Sequence, residues 1–204
     1  FASSQISFKE LQQMVDAPKE RVHGEKRELG RLAIELKKIL REMISKKQEA
    51  SDDLVEHVWK IQQLFKERKL FKHFQSYFND SESLELLLEA LYSTLDDISI
   101  FSDMITLIKF IIYRNSVAYP FMSLKLIHYL NYFDDDQLRS LFSNIPSDLD
   151  SAPIQELIIV LIKLLKKSPI DLQSKAFVCL ESIVNSIQSD KYSKLVFSML
   201  MTSD

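Results

Sequence analysis

The chain has 204 residues, of which 46% are hydrophobic and 27% charged, and its formal net charge at pH 7 is −3. Glycine occurs only at Gly24 and Gly30, whereas roughly 7% of an average protein is glycine. Nucleotide-binding α/β folds need glycine where the backbone meets phosphate or turns with positive φ. The composition therefore argues against that class and predicts an all-helical fold.

Charge and cysteine content limit the expected partners and compartment. Residues 1–78 contain 16 Lys and Arg against 12 Asp and Glu, a net +4, and residues 79–204 contain 10 against 17, a net −7. Neither part has the dense basic character of a nucleic-acid-binding domain. Cys179 is the single cysteine, so no disulfide can form within the chain, and we expect its thiol to be buried. A chain that forms no internal disulfide favours a reducing compartment, and we expect a cytoplasmic or nuclear location. No apolar run approaches the roughly 20 residues that span a bilayer, so we expect no membrane partner.

Residues 1–78 are predicted to form a helical domain of their own, either a divergent repeat or a cap. Ser7 and Glu10 have the spacing of a capping box. A short helix is therefore expected to begin there and to end near Asp16, because Pro18 disfavours helical geometry at the residue before it. Residues 17–24 are predicted to form a polar connection.

A long amphipathic helix is predicted from Glu25 to Glu49, followed by a second helix capped by Ser51. The two are expected to pair as a hairpin, although the apolar spacing of the long helix also fits a coiled-coil dimer. Its apolar seam consists of Leu29, Leu32, Leu36, Ile39 and Met43. The inward positions predicted for the second helix are Leu54, Val55, Val58, Ile61 and Leu64 or Phe65, with Trp59 beside them. An aromatic continuation, in the same helix or a further one, is expected in the core and comprises Leu70, Phe71, Phe74, Tyr77 and Phe78.

A second domain, residues 79–204, contains a pattern that recurs after 54 residues. Leu107 corresponds to Leu161 in this way, and Leu126 to Leu180. The helices predicted in chain order are 82–95, 103–114 with Ser102 as its cap, 120–132, 135–144, 154–167, 170–188 and 191–201. Repeating helical units cannot bury their apolar faces alone, so the pattern predicts a stack of them, two complete and one partial.

The passage VLIKLLKKSPIDLQSKAFVCLESIV, residues 160–184, resembles the second-to-third helix passage of armadillo and HEAT repeats, and the resemblance extends over about residues 82–204. It implies a right-handed α-solenoid of three-helix repeats, preceded by the N-terminal hairpin. Peptide-binding armadillo proteins carry an asparagine on the third helix and a tryptophan one turn earlier. The corresponding residues are Ser182 and His128, and Val178 and Leu124, so their extended-peptide mode does not transfer to this chain.

The polar residues do not form a recognisable catalytic or metal-binding motif. Asp53 and His57 are four apart, which predicts a surface ion pair. Asp134, Asp135 and Asp136 lack the glycine and spacing of a calcium loop, so they and the nearby aspartates at 148 and 150 are interpreted as helix caps or as a patch for a basic partner. No nucleophile, metalloprotease or phosphate-loop motif is present, and we expect neither an enzyme nor a cofactor.

The expected function is a non-enzymatic scaffold or adaptor for protein–protein interaction, as a domain of a larger protein or a subunit of an assembly. The resemblance includes an Hsp70 cochaperone of armadillo type as a special case. The alternative is nucleic-acid binding by the basic N-terminal half, where residues 66–69, Lys72 and His73 lie among phenylalanines, but we do not favour it. A second copy of the chain could also bind the apolar C-terminal helix. The residues predicted to contact another protein are Lys125, His128, Tyr129, Lys175, Glu181, Ser182, Asn185, Leu195 and Met199.

Overall fold

The computed structural model describes residues 8–45, 50–64, 68–146, 151–187 and 190–202. All of the regular structure in these ranges is helical, which confirms the prediction of an all-α protein. The helices are α1 (Phe8–Ile44), α2 (Ala50–Leu64), α3 (Arg68–Ser76), α4 (Ser81–Ser93), α5 (Ile98–Ile112), α6 (Ala118–Leu126), a 3₁₀ helix (Ile127–Tyr132), α7 (Asp135–Phe142), α8 (Ser151–Lys167), α9 (Ile170–Ser186) and α10 (Asp190–Met201).

The predicted break after Asp16 is wrong, because α1 is continuous from Phe8 to Ile44. Proline biases the preceding residue away from helical geometry without forbidding it, and strong helix formers stand on both sides of Pro18. The predicted cap Ser7 lies outside the described residues. The polar connection expected over residues 17–24 is therefore part of one long helix.

The hairpin of α1 and α2 is present, and the seam predicted on α1 is buried throughout. On α2 the inward assignment is right for Leu54, Val58 and Ile61 but wrong for Val55, which is 45% exposed, and Trp59, predicted beside this set, is 59% exposed. These two residues lie one turn apart, beside the buried face. The helix already begins at Ala50, so Ser51 is inside it and not its cap.

Of the aromatic continuation, Leu70, Phe71 and Phe74 lie in a further helix, α3, and Tyr77 and Phe78 follow its end. Leu70, Phe74 and Phe78 are fully buried, and the Phe74 and Phe78 rings lie 5.4 Å apart. Phe71 is half-buried and meets Tyr113 edge-on at 5.7 Å. The aromatic residues of this region therefore serve mainly as core.

Gly30 lies where α1 packs closely against the end of α3. A Cβ atom at this position would lie 3.1 Å from Tyr77 Cζ and closer still to the Tyr77 hydroxyl, whereas a Cβ at Gly24 would meet no atom within 4 Å. Alanine favours a helix over glycine by about 1 kcal/mol, and overpacking costs about 1–3 kcal/mol.

We therefore expect Gly24→Ala to raise the free energy of unfolding by about 0.5–1 kcal/mol and Gly30→Ala to lower it by about 1 kcal/mol. Urea denaturation of the two variants measures the difference. Adding Tyr77→Phe to Gly30→Ala should recover part of the loss, because the hydroxyl is the nearest atom. Equal gains from both alanines would contradict the close approach.

Residues 81–132, the first segment, and residues 135–186, the second segment, have corresponding helices. Adding 54 to the start of α4 at Ser81 gives the start of α7 at Asp135, and adding 54 to the end of the 3₁₀ helix at Tyr132 gives the end of α9 at Ser186. Helix α5 likewise corresponds to α8 within one residue at each end. Leu107 and Leu161, the matched leucines of α5 and α8, are both fully buried.

The start predicted for α5 is wrong by five residues. The helix begins at Ile98, and its cap is Asp97 instead of Ser102. The Asp97 carboxylate accepts hydrogen bonds from the backbone N–H groups of Ser99 (3.1 Å) and Ile100 (3.3 Å). Aspartate and serine cap helices about equally well, so the local sequence offered two starts and the first is used.

Asp80 caps α4 in the same manner, with Oδ1 accepting from the Ser83 N–H at 2.8 Å and Oδ2 from the Ser83 hydroxyl at 2.7 Å. The hydrogen bond from the Ser83 side chain is the main cause that lowers the pKa of Asp80. A carboxyl whose pKa is lower in the folded state stabilises the fold above its unfolded pKa of about 3.9, and this contribution is lost as pH falls through the folded pKa.

We therefore expect the free energy of unfolding to fall below about pH 4, and Asp80→Asn to reduce that slope. Asparagine caps a helix about as well as aspartate but does not titrate, so stability at pH 7 should change little. Denaturant titrations between pH 2 and pH 7 measure both quantities, and an unchanged slope would argue against the role of Asp80. The slope should not vanish, because hydrogen bonds from Arg31, His57 and Lys175, respectively, also lower the pKa values of Glu28, Glu35 and Asp135.

The turn between α5 and α6 is held by side chains from other elements. Gln75, buried on α3, donates from Nε2 to the carbonyl groups of Phe110 (2.8 Å), Ile111 (3.2 Å) and Tyr113 (2.9 Å). Arg114 follows with a φ of 47°, and its carbonyl accepts from Lys72 Nζ at 2.7 Å. The last carbonyl groups of a helix lack intrahelical hydrogen-bond donors, and the Gln75 side chain on α3 provides a donor for them.

Among the described residues, the principal contacts join elements no more than three places apart in chain order. Helix α1 packs against α2, α3 and α4, and α2 and α3 both pack against α5. Within the segments, α4 and α5 pack against α6, and α7 and α8 against α9. The segments meet where α5 contacts α7, α6 contacts α8 and the 3₁₀ helix contacts α9, and α10 continues the series on α8.

Candidate protein-interaction surface

A groove lined by polar and charged residues runs along the contact between α7 and α9 in the second segment. Its volume is about 640 Å³. Its walls are the exposed sides of these two helices, which are the first and third helices of the segment. The lining residues are Asp136, Arg139, Ser140, Ser143, Glu181, Ser182, Asn185 and Ser186.

The groove contains both hydrogen-bond donors and hydrogen-bond acceptors. Arg139 Nη1 lies 3.4 Å from Asp136 Oδ1 on its own helix, and both side chains are largely exposed. The Ser186 hydroxyl donates to the Ser182 carbonyl at 2.6 Å. The buried Ser140 hydroxyl has no hydrogen-bond partner among the described residues. Such a surface can bind a polar chain through charge, amide and hydroxyl contacts.

Three of the predicted contact residues lie in this groove, and one of them was misjudged. Glu181 and Asn185 are exposed. Ser182 is only 6% exposed, and its hydroxyl donates to the Val178 carbonyl at 2.8 Å. A serine inside a helix often bonds back to the fourth carbonyl before it, so Ser182 is occupied by its own helix and is not a free contact.

Lys175 was predicted as an exposed contact but belongs to an ion pair between helices. Its Nζ lies 2.8 Å from Asp135 Oδ1, and its side chain is 24% exposed. The pair ties the start of α7 to α9 and closes the segment on that side. Reversing the charge of Lys175 would place two carboxylates together, so this residue is unsuitable for a test of binding alone.

Three further predicted residues lie on the third helix of the first segment, which is α6 with the 3₁₀ helix, and one of them, Tyr129, meets Tyr92 of α4 at a seam between the two elements. Lys125 and His128 are exposed, and Tyr129 is half-buried. Their counterparts 54 residues later, Cys179, Ser182 and Ile183, are all buried. The positions that correspond to the ion pair of the second segment hold Ser81 and Phe121. His128 and Tyr129 lie in the 3₁₀ helix that begins at Ile127, a geometry that places residues three apart on one side.

Sequence reasoning missed the tyrosines that complete this seam. Tyr92 is 62% exposed and Tyr132 is 55% exposed, and the Tyr92 ring meets the Tyr129 ring edge-on at 6.0 Å. Glu85 and Glu89 precede Tyr92 on the same exposed face of α4. Tyrosine is enriched at binding surfaces because it is large, rigid and polar at its tip. The three-residue spacing of Tyr129 and Tyr132 could have indicated that they share one side of the helix, but only if the 3₁₀ geometry had been known.

Helix α10 is apolar, as predicted, and its apolar side chains lie on more than one side, but the two residues selected face inward. Leu195 and Met199 are half-buried against the core. The outward side chains are Phe197, Leu200 and Met201, which are 66%, 46% and 67% exposed. Contact with another molecule would therefore use these three residues.

Among the described residues, the histidine and aspartates singled out in the sequence form hydrogen bonds that hold or cap helices. His57 Nδ1 lies 2.8 Å from the Asp53 carbonyl oxygen and Nε2 lies 3.0 Å from Glu35 Oε2, so the carboxylate partner is on α1 and the predicted Asp53–His57 ion pair is wrong. Asp134 caps α7 in a capping box with Gln137, as interpreted. The aspartates at 148 and 150 lie outside the described residues. In the described part of the chain, no group of three His, Cys, Asp or Glu is arranged for a metal ion.

The basic run near α3 does not offer a stacking platform among the residues described. Phe74 is fully buried, Phe71 packs on Tyr113, and Lys72 Nζ binds the Arg114 carbonyl. Residues 65–67 lie outside the described part. The aromatic side chains that would stack on bases are thus used for packing.

Comparison with protein-family models, with curated proteins and with solved structures gives no match. Within the described ranges, the helices are too short or too polar to cross a bilayer.

Proposed function

We propose that this protein is a non-enzymatic scaffold or adaptor that binds another protein along the first and third helices of two stacked segments. The proposed architecture is a right-handed solenoid of armadillo or HEAT type, with α1–α3 covering the first segment. The proposed setting is a cytoplasmic or nuclear assembly, and no cofactor is required.

The proposal depends on one observation: the contacts join elements close in chain order, and an exposed surface recurs on corresponding helices of both segments. Each element packs mainly on elements close to it in chain order, which is the contact pattern of stacked repeats. The same two helices of each segment leave an exposed polar or aromatic surface, the α4 seam in the first and the α7–α9 groove in the second. A stack presents such surfaces side by side, which suits an extended partner.

Affinity purification of the full chain, with identification of the retained proteins, tests the proposal. We expect a specific partner whose retention falls at least about threefold with Tyr92→Ala and Tyr132→Ala together, or with Glu181→Lys, because aromatic anchors and rim charges contribute to binding. Glu156→Lys, an exposed charge reversal on α8, is the matched control. Retention that none of these variants changes would remove both surfaces from consideration.

A further inference from the structure

Two exposed apolar patches lie on helices near opposite ends of the chain. The head patch consists of Val55 and Trp59 on α2, which are 45% and 59% exposed and one helical turn apart. The tail patch consists of Phe197, Leu200 and Met201 on α10, at the three- and four-residue spacing that places them on one face. Helix α2 packs on α1 and α5, whereas α10 packs on α8.

Scattered exposed apolar residues need no explanation, but these patches carry charged rims of opposite sign. Around the head patch, Asp52, Asp53 and Glu56 are exposed, and Lys60 on the same helix pairs with Glu56 at 2.5 Å. The carboxylates of Asp52 and Asp53 have no ion-pair partner among the described residues. The head patch is therefore apolar at its centre and acidic at its edge.

The rim of the tail patch is basic. Lys194 precedes Phe197 by three residues and is exposed. Lys166 donates to the carbonyl of Thr202, the residue after Met201, so the basic end of α8 adjoins the patch. Lys163 and Lys167 are exposed on this same end of α8. Neither they nor Lys194 pairs with a carboxylate in the described part of the chain.

We propose that the head patch of one molecule binds the tail patch of a second molecule, so that the chains associate head to tail. Apolar side chains meet at the centre, and the acidic rim of α2 faces the basic rim of α8 and α10. Two different surfaces of one chain form a heterologous contact, which adds further molecules unless the rotation closes a ring. Patches of two and three side chains are small beside a standard interface of about 1,600 Å², so the association is weak and depends on concentration.

Sedimentation and light scattering of the full chain, at about 10 μM to 1 mM, provide the first test. We expect the average mass to rise above the monomer mass of 23.8 kDa as concentration increases, and to return toward it in high salt, which screens rim charges. Trp59 is the only tryptophan, so its fluorescence should shift to shorter wavelength over the same concentration range. A constant monomer mass throughout would overturn the proposal.

Two variants separate head-to-tail contact from other modes. The head variant is Val55→Ser with Trp59→Ala, and the tail variant is Phe197→Ser with Met201→Ser. Each alone should stay monomeric, but their mixture should form a dimer and stop there, because one complementary pair remains. On mixing, the fluorescence shift should return, since only the tail variant retains Trp59.

Other outcomes identify the alternatives. If the head variant associates as well as the wild type while the tail variant does not, two tail patches pair with each other and the proposal is wrong. Ile98→Ser, at an exposed apolar residue on α5 (86% exposed), is the matched control and should leave the mass profile unchanged. Unchanged thermal unfolding of each variant shows that loss of association is not loss of fold. This test is independent of the scaffold function, whose partner surfaces are on other helices.

Discussion

Leu161→Ala is expected to lower the free energy of unfolding by about 2–5 kcal/mol, the range for a leucine removed from a closed core. Leu161 is fully buried on α8, which packs against α6, α9 and α10. Its counterpart Leu107 on α5 is equally buried, so Leu107→Ala should cost a similar amount. Urea denaturation measures both, and Glu156→Ala on the exposed side of α8 is the control, with an effect within about 0.5 kcal/mol.

The location of the damage is as informative as its size. In a stack where each element contacts mainly its neighbours, a weakened unit opens more readily than distant ones. Hydrogen exchange in Leu161→Ala should therefore accelerate in α8, α9 and α10 more than in α1 and α2. Equal acceleration throughout the chain would indicate one cooperative core and would count against the solenoid.

Gln75→Leu is expected to lower the free energy of unfolding by about 1–3 kcal/mol, the cost of leaving buried polar groups without partners. Leucine nearly preserves the volume of the side chain, so packing contributes little to the loss. What disappears is the amide that donates to three carbonyl groups at the end of α5. The Gln75 Oε1 atom itself has no hydrogen-bond partner among the described residues, so removing it offsets part of this loss.

Equilibrium denaturation of Gln75→Leu measures this effect beside Gln63→Leu, the same replacement at an exposed position of α2. The control should change stability by no more than about 0.5 kcal/mol. A Gln75→Leu protein as stable as the wild type would mean that water or backbone movement satisfies those carbonyls. Asn115 also donates to the Ile111 carbonyl, at 2.9 Å, so this hydrogen bond should contribute more to stability in the Gln75→Leu variant than in the wild type.

Apolar periodicity was a good guide to the helices and to their buried faces. The seam of α1 from Leu29 to Met43 is buried as predicted. A heptad spacing places the apolar side chains on one side of a helix, and that side is buried away from water. The bounds predicted for α7, α8 and α9 also lie within three residues of those observed. Boundaries failed where local signals competed, as at Asp97 and Ser102, or where a proline was tolerated, as at Pro18.

Long-range partners could not be predicted from the sequence. Glu35 meets His57, and Asp135 meets Lys175, only because separate helices bring them together. The residues proposed for binding were chosen by their position on third helices. The exposure that this choice assumes is found for Glu181 and Asn185 but not for Ser182, whose burial depends on how closely α7 approaches. The seam tyrosines were missed for the same reason, since exposure of Tyr92 depends on the distance between α4 and its neighbour.

The fully buried thiol of Cys179 has a practical consequence. Burial raises its pKa to about 12, so at neutral pH the folded chain holds this sulfur protonated and out of reach of alkylating reagents, which attack thiolates. A reagent can modify it only in molecules whose α9 has come away from α7 and α8. Since the chain has no other cysteine, its rate of labelling is an intrinsic measure of how often that part of the protein opens.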